Sequence, residues 1–394
     1  MKDGKKAAVI GVTCILTYIA NYYLRNILGV LTPALISSGV GFTYEHIANL
    51  SSIYMLFYAA GQLVNGILGD IVSPKYLVGI GLFVAGGSMV MFPYLPIGYV
   101  QIACFAILGF ALSMLRGPLM KIISENAKPN YARLICVFFS FAGCVGPFVA
   151  SLFAMINGWN LAFVCAGAIA VVFGLGSFIV FTVMEKKGLV SYMKTNARSI
   201  SSILAVFKIE NIVFYIIIAG LVEISFISIN QWMTTFLTGP LGFDKENANM
   251  IYSGISFVRA LMPFMTLAIF RAIKEKDLPI MRVAFTITTI SFALLIVSPG
   301  KWFSVAFLLI ALCAMACTSA LLWSIYIPSL GKTGRVSSVN GVIDCLGYVV
   351  AAGANWLFAE VMTNIGWTEV YLLWASMGII GLATTFIFRR KKAK

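Results

Sequence analysis

Six ionisable residues stand inside long apolar runs: Arg25, Arg116, Glu223, Arg259, Asp344 and Glu360. A charged side chain at the centre of a bilayer costs about 2.5–3.5 kcal/mol on insertion scales, and residues that persist there mark ligand or ion pathways by default. Arginine offers a planar fork of donors that grips a carboxylate or phosphate through two parallel hydrogen bonds. Glu223 and Asp344 suit a different task, because a carboxylate in a low-dielectric setting can take up a proton or release an arginine by doing so. The chemistry on offer is binding of a small anion, coupled to proton movement. Nothing points to bond-making: there is no HExxH, no His pair, no nucleophile–base set and no Gly-rich phosphate loop. An enzyme, a metal and a cofactor are therefore not expected.

The elements that must position these groups are membrane spans. Of the 394 residues 60% are hydrophobic and only 11% charged, where a soluble domain has about 25% charged residues. A span needs about 20 apolar residues. Candidate spans fall at 7–36, 47–71, 76–95, 97–123, 134–157, 160–184, 211–238, 248–271, 279–298, 302–328, 336–363 and 367–388. The expected fold class is an all-α membrane protein of twelve transmembrane helices. The longest polar interruption, 185–210, splits them six and six. The expected organisation is a bundle over 1–184, a cytoplasmic linker over 185–210 and a second bundle over 211–394. Within the linker, SISSILAVF is expected to lie as a short amphipathic helix on the membrane surface.

The formal net charge of +14 invites a nucleic-acid reading, but its distribution excludes one. Lys and Arg gather in the tails and in alternate loops, around Lys75, Lys121, Lys128 and Arg133, the central loop, Arg271 to Arg282, and Lys332. The positive-inside rule then places both termini in the cytoplasm. The basic start before an apolar run is read as an uncleaved first span, since the run is long and contains Arg25. All eight cysteines lie within spans and suggest no disulfide framework. His46, the single histidine, is expected at the outer surface.

Helical spacing sorts the polar residues into stripes. The first span offers Tyr18, Asn21 or Tyr22, and Arg25. The second offers Tyr54, Tyr58, Gln62 and Asn65, and the seventh Glu223, Asn230, Gln231 and Thr234. The eighth offers Tyr252, Ser256 and Arg259, and the eleventh Asn340, Asp344, Tyr348 and Asn355. A plainer reading is that these charges pair with one another and hold helices together.

Two short signals bear on organisation. GFTYEHIANLSSIY (41–54) and GFDKENANMIYS (242–253) each carry Gly-Phe, a capping residue (Thr43, Asp244) and Ala-Asn. They argue for two similar halves. GILGDIVSPK (66–75) places Gly66 for close helix approach, Asp70 at a helix end and Lys75 beyond it, a gate in which the carboxylate pairs with a base or caps a neighbouring helix.

These features resemble the major facilitator transporters, and more narrowly the organophosphate:phosphate antiporter family. The Pro74-Lys75 ending, the TYIANYYLRNILGVLTP stretch of the first span, QWMTTFL (231–237) and GYVVAAGA (347–354) carry the likeness. The resemblance implies a cavity lined by spans 1, 4, 7 and 10, with Arg25 as the arginine that holds the substrate. It implies a site drawn from Arg25, Tyr22, Asn21, Arg116, Gln62, Asn230, Trp232, Trp323 and Tyr326. Glu223, Asp344 and Arg259 would serve proton coupling or charge pairing. The sequence departs from the family where its second arginine, a lysine and a histidine would stand: Phe226, Leu63 and a position near Ala142. The expected function is secondary active transport of a small organic anion, a carboxylate or a sugar phosphate, driven by proton symport or anion exchange. The protein would act as a monomer in the cell membrane. The alternative is a non-transporting sensor of an external anion with the same fold.

Overall fold

The computed structural model describes residues 3–156, 158–193, 205–297 and 300–387. Long helices follow in chain order: α1 Asp3–Ser37, α2 Tyr44–Ile71 and α3 Pro74–Met91, then α4, made of Tyr99–Leu112 and Arg116–Asn126. Next come α5 Pro129–Ile156 and α6 Trp159–Lys186. Then α7 combines Ile212–Glu223, a π-helical Ile224–Ile229 and Asn230–Thr238. It is followed by α8 Lys245–Ala272 and α9 Asp277–Leu294. In α10, Lys301–Ala320 runs through a π-helical Leu321–Tyr326 to Ile327–Ser329. The chain closes with α11 Val336–Asn364 and α12 Trp367–Ile387. Among the described residues, eleven helices are long and apolar enough to cross a membrane; α5, at 28 residues, is a further long one. The expected surface helix SISSILAVF falls mostly outside the described residues.

Local chemistry sets the ends. The Thr43 hydroxyl accepts from the His46 amide at 3.1 Å and so caps α2. Asp244 caps α8 in the same way, accepting from the Asn247 amide at 3.1 Å, and the Asn247 side chain holds its carboxyl below the usual range. Pro74 opens α3, where its missing N–H costs nothing. Pro118 explains the break in α4: it has no N–H to offer the carbonyl of Met114, and its ring would clash there, so the helix turns at 113–115 and restarts. Sequence reading took α4 as one continuous span and did not foresee the π turns.

The chain divides into two compact units. Unit 1 holds Met1–Val206 together with Ile327–Cys345; unit 2 holds Phe207–Tyr326 and Leu346–Lys394. The end of α10 and the first turns of α11 thus pack with the first half of the chain. Each unit has an aromatic core. In unit 1, Phe92 lies 4.6 Å from Phe163 and 5.1 Å from Phe105 between ring centroids. In unit 2, the fully buried Trp374 lies 5.5 Å from Phe292 and 5.8 Å from Phe236.

Candidate functional site

In unit 1, α1 and α2 build a cradle around Arg25. Its guanidinium carbon lies 5.7 Å from the Tyr22 ring centroid and 5.1 Å from that of Tyr58. Tyr22 is one turn before Arg25, and Tyr58 comes from α2, where it stacks with Tyr54 at 5.8 Å. The Tyr22 ring rests against Gly143 of α5, where an added Cβ would come within 3.2 Å of the ring. Aromatic faces carry negative charge density and attract a cation. Three polar groups of the α1 and α2 stripes are buried with no hydrogen-bond partner among the described residues: Asn21 Oδ1, Tyr54 OH and Gln62 Nε2. A buried polar atom left so is costly unless something arrives to bond it.

Arg116, the first residue after the α4 break, points to α11. Its Nη1 lies 2.7 Å from Asp344 Oδ1, and Asn340, one turn back on α11, donates to Asp344 Oδ2 at 2.9 Å. Asp344 is fully buried. The reading of Arg116 as a substrate ligand therefore meets an arginine already engaged with a carboxylate.

At the end of α2, Asp70 caps α11. Its carboxylate accepts from the Ser337 and Ser338 amides at 3.2 and 2.8 Å, groups that no intrahelical carbonyl serves in a first turn. Gly66 lies on the same crossing: a Cβ there would come 2.8 Å from the Gly341 Cα, so both positions need glycine for the helices to touch. Lys75 does not reach Asp70 but pairs with Glu185 of α6. A base that does reach Asp70 is Lys121, at 3.2 Å and 1% exposed. By sequence Lys121 is grouped with the basic residues around the loop between the fourth and fifth spans. Its position one turn inside the end of a helix, in place of an apolar residue, was the available signal.

In unit 2, Arg259 of α8 donates to Asn230 Oδ1 at 2.5 Å and lies over the Phe226 ring at 4.3 Å. A guanidinium thus occupies the neighbourhood of Phe226, delivered from α8 rather than carried by α7. Glu223 and Asn230 bracket the π turn of α7. Glu223 is buried against Gly347 of α11, where a Cβ would stand 2.7 Å from its Cγ. Trp232 donates from Nε1 to Asn355 at 2.7 Å. Trp323 and Tyr326 lie in the π turn of α10 and are buried; Tyr326 stacks on Tyr215 at 3.4 Å between centroids, and Tyr215 donates to Asp277 at 2.7 Å. Tyr326 is a packing partner in this arrangement rather than an open aromatic wall. Glu360 is exposed and accepts from Asn364 one turn on. His46 is half-buried and shares a 2.8 Å hydrogen bond with Gln101.

The Major Facilitator Superfamily model matches residues 14–352. The chain belongs to that superfamily. It is a multi-pass membrane protein with the transporter fold of major facilitator proteins. It is similar to the membrane sensor protein UhpC of Salmonella typhimurium, 22% identical over 268 residues, which are 61% of this chain and 59% of that protein. A 176-residue match to the membrane sensor protein UhpC of Escherichia coli is 23% identical and covers 41% of this chain and 37% of that one. The chain thus spans less than two thirds of either relative in these matches. Among solved structures, the human organic anion transporter MFSD10 (TETRAN) superposes with a TM-score of 0.71 at 14% identity, covering 98% of this chain and all of that one. The proton:xylose symporter XylE bound to 6-bromo-6-deoxy-D-glucose gives 0.73 at 12% identity, covering 98% and 96%. An outward-facing bacterial homologue of the iron transporter ferroportin gives 0.76 at 10%, covering 96% and 99%. At these identities the structural likeness concerns the major facilitator fold alone.

Proposed function

We propose that this major facilitator protein is a secondary active transporter of a small organic anion, a carboxylate or sugar phosphate. It works by alternating access in the cell membrane as a monomer, with both termini cytoplasmic. The two pseudo-symmetric bundles would be 1–184 and 211–394, joined by the linker 185–210. The observation that carries the reading is the Arg25 cradle: a guanidinium between Tyr22 and Tyr58, with Asn21, Tyr54 and Gln62 presenting unsatisfied buried atoms on the same two helices. A carboxylate or phosphoryl group takes the guanidinium fork in two parallel bonds, and a polyhydroxylated body uses the amides and hydroxyl.

Coupling is assigned to the Arg116–Asp344 pair, with Asn340 orienting the carboxylate. Protonating Asp344 removes its charge and frees Arg116; anion exchange is the other mode the charge set permits. In unit 2, Glu223 is the second carboxylate suited to proton coupling.

The test is uptake of labelled sugar phosphates, sugar acids and dicarboxylates by the full chain in proteoliposomes. Arg25→Ala should lower affinity on the order of a hundredfold, as loss of a charge-assisted bidentate contact implies. Arg25→Lys should restore only part of it, because the ammonium keeps the charge and loses the fork. Unchanged affinity in both variants would sink the assignment. A second reading, a membrane sensor, is favoured by the names of the matched relatives. Saturable anion binding without flux in the same vesicles would decide for it.

A further inference from the structure

Lys121 does more than neutralise Asp70. Its Nζ also donates to the Met193 carbonyl at 2.8 Å and to the Asp70 carbonyl at 3.3 Å, and it lies 3.9 Å from Glu125 Oε1. An ammonium has three donors, and here they are shared between the end of α2 and the first residues of the central linker. Those residues are strapped across the end of α4. Glu125 Oε2 accepts from the Met193 amide at 2.9 Å, and Asn126 Oδ1 from the Ser191 amide at 2.9 Å. Val190, between these contacts, is itself buried, at 2% exposure. All of these residues, and the α11 turn that Asp70 caps, belong to unit 1.

We infer that docking of the strap, Leu189–Met193, sets the strength of the Asp70 cap on α11, with Lys121 as the connector. While the strap is docked, Lys121 is sealed from water and its attraction for Asp70 acts at low dielectric. Lifting the strap removes the Met193 carbonyl and hydrates the ammonium, and the pair falls towards the weak attraction of an exposed ion pair. Asp70 is then a buried carboxylate with less compensation, and its hold on the Ser337 and Ser338 amides weakens. The linker between the halves of the chain thereby becomes a control element: whatever pulls or modifies it acts on the α2–α11 contact. The inference rests on the contacts at Asp70 and Lys121, not on which solute is carried.

Hydrogen exchange of the full chain in liposomes, without substrate, tests it. The Ser337 and Ser338 amides are first-turn donors, so their protection reports the Asp70 cap directly. The variant E125A/N126A removes both strap acceptors and leaves Asp70 and Lys121 in place. It should speed exchange at residues 336–341 on the order of tenfold, together with residues 189–193. Lys121→Met, which keeps the side-chain bulk, should speed both segments further. Unchanged exchange at 336–341 in both variants overturns the coupling, even if the strap peptide itself exchanges faster. Because no solute enters the measurement, its failure is distinguishable from a failure of the transport assay.

Discussion

Arg116 and Arg259, one in each compact unit, are held differently. In unit 1, Arg116 meets the carboxylate of Asp344 at 2.7 Å, between α4 and α11. In unit 2, Arg259 donates to the neutral amide oxygen of Asn230 and rests on the Phe226 ring, between α8 and α7. Arg116 follows a broken helix, whereas Asn230 follows a π turn. The difference is one of switchability. A contact to a carboxylate changes when a proton arrives, while a contact to an amide or a ring has nothing to titrate in this range. Irregular backbone at membrane depth is tolerated where protein covers it, and both units place such a segment beside a charge.

Three substitutions would break or sharpen that contrast. Asp344→Asn should have the largest effect, because it leaves the half-buried Arg116 without its counter-charge, at a cost of up to about 3–5 kcal/mol. Thermal unfolding of purified protein should fall accordingly, and R116Q/D344N should recover much of the loss. A D344N protein as stable as the parent would mean that the pair carries no such weight. Asn230→Ala comes next, at about 1.5–3 kcal/mol for a hydrogen bond to a charged donor. Its effect should be the same at pH 5 and pH 8; a pH-dependent loss would show that Arg259 answers to a titrating group after all. Phe226→Leu is the smallest, about 0.5–2 kcal/mol for the cation–ring contact, read as a shift in unfolding temperature. If Phe226→Leu cost as much as Asp344→Asn, the two units would not differ in the way described.

Much of the architecture was legible in the chain. The apolar runs place the helices within a few residues, and the repeated caps Thr43 and Asp244 start α2 and α8 as their positions suggest. The set of intramembrane charges could also be read directly. Partnerships could not. Arg116 was matched to a ligand, Lys75 to the gate and Lys121 to a loop, and the structure gives all three other company. The α4 break had a readable cause in Pro118, whereas the π turns of α7 and α10 have compositions like those of the helical segments beside them.

The sequence by itself determined how many apolar runs there are, where they start and stop, and which charges lie inside them. Those are local properties: twenty apolar residues must cross the hydrocarbon layer as helix whatever surrounds them, since no water is there to serve the backbone. Only the tertiary structure decided that Arg116 meets Asp344, 228 residues away, and that Asp70 meets Ser338, 268 residues away. Such partners need only complementary charge or hydrogen-bonding groups and proximity, and proximity across such separations is set by how whole helices pack, not by any pattern within one of them.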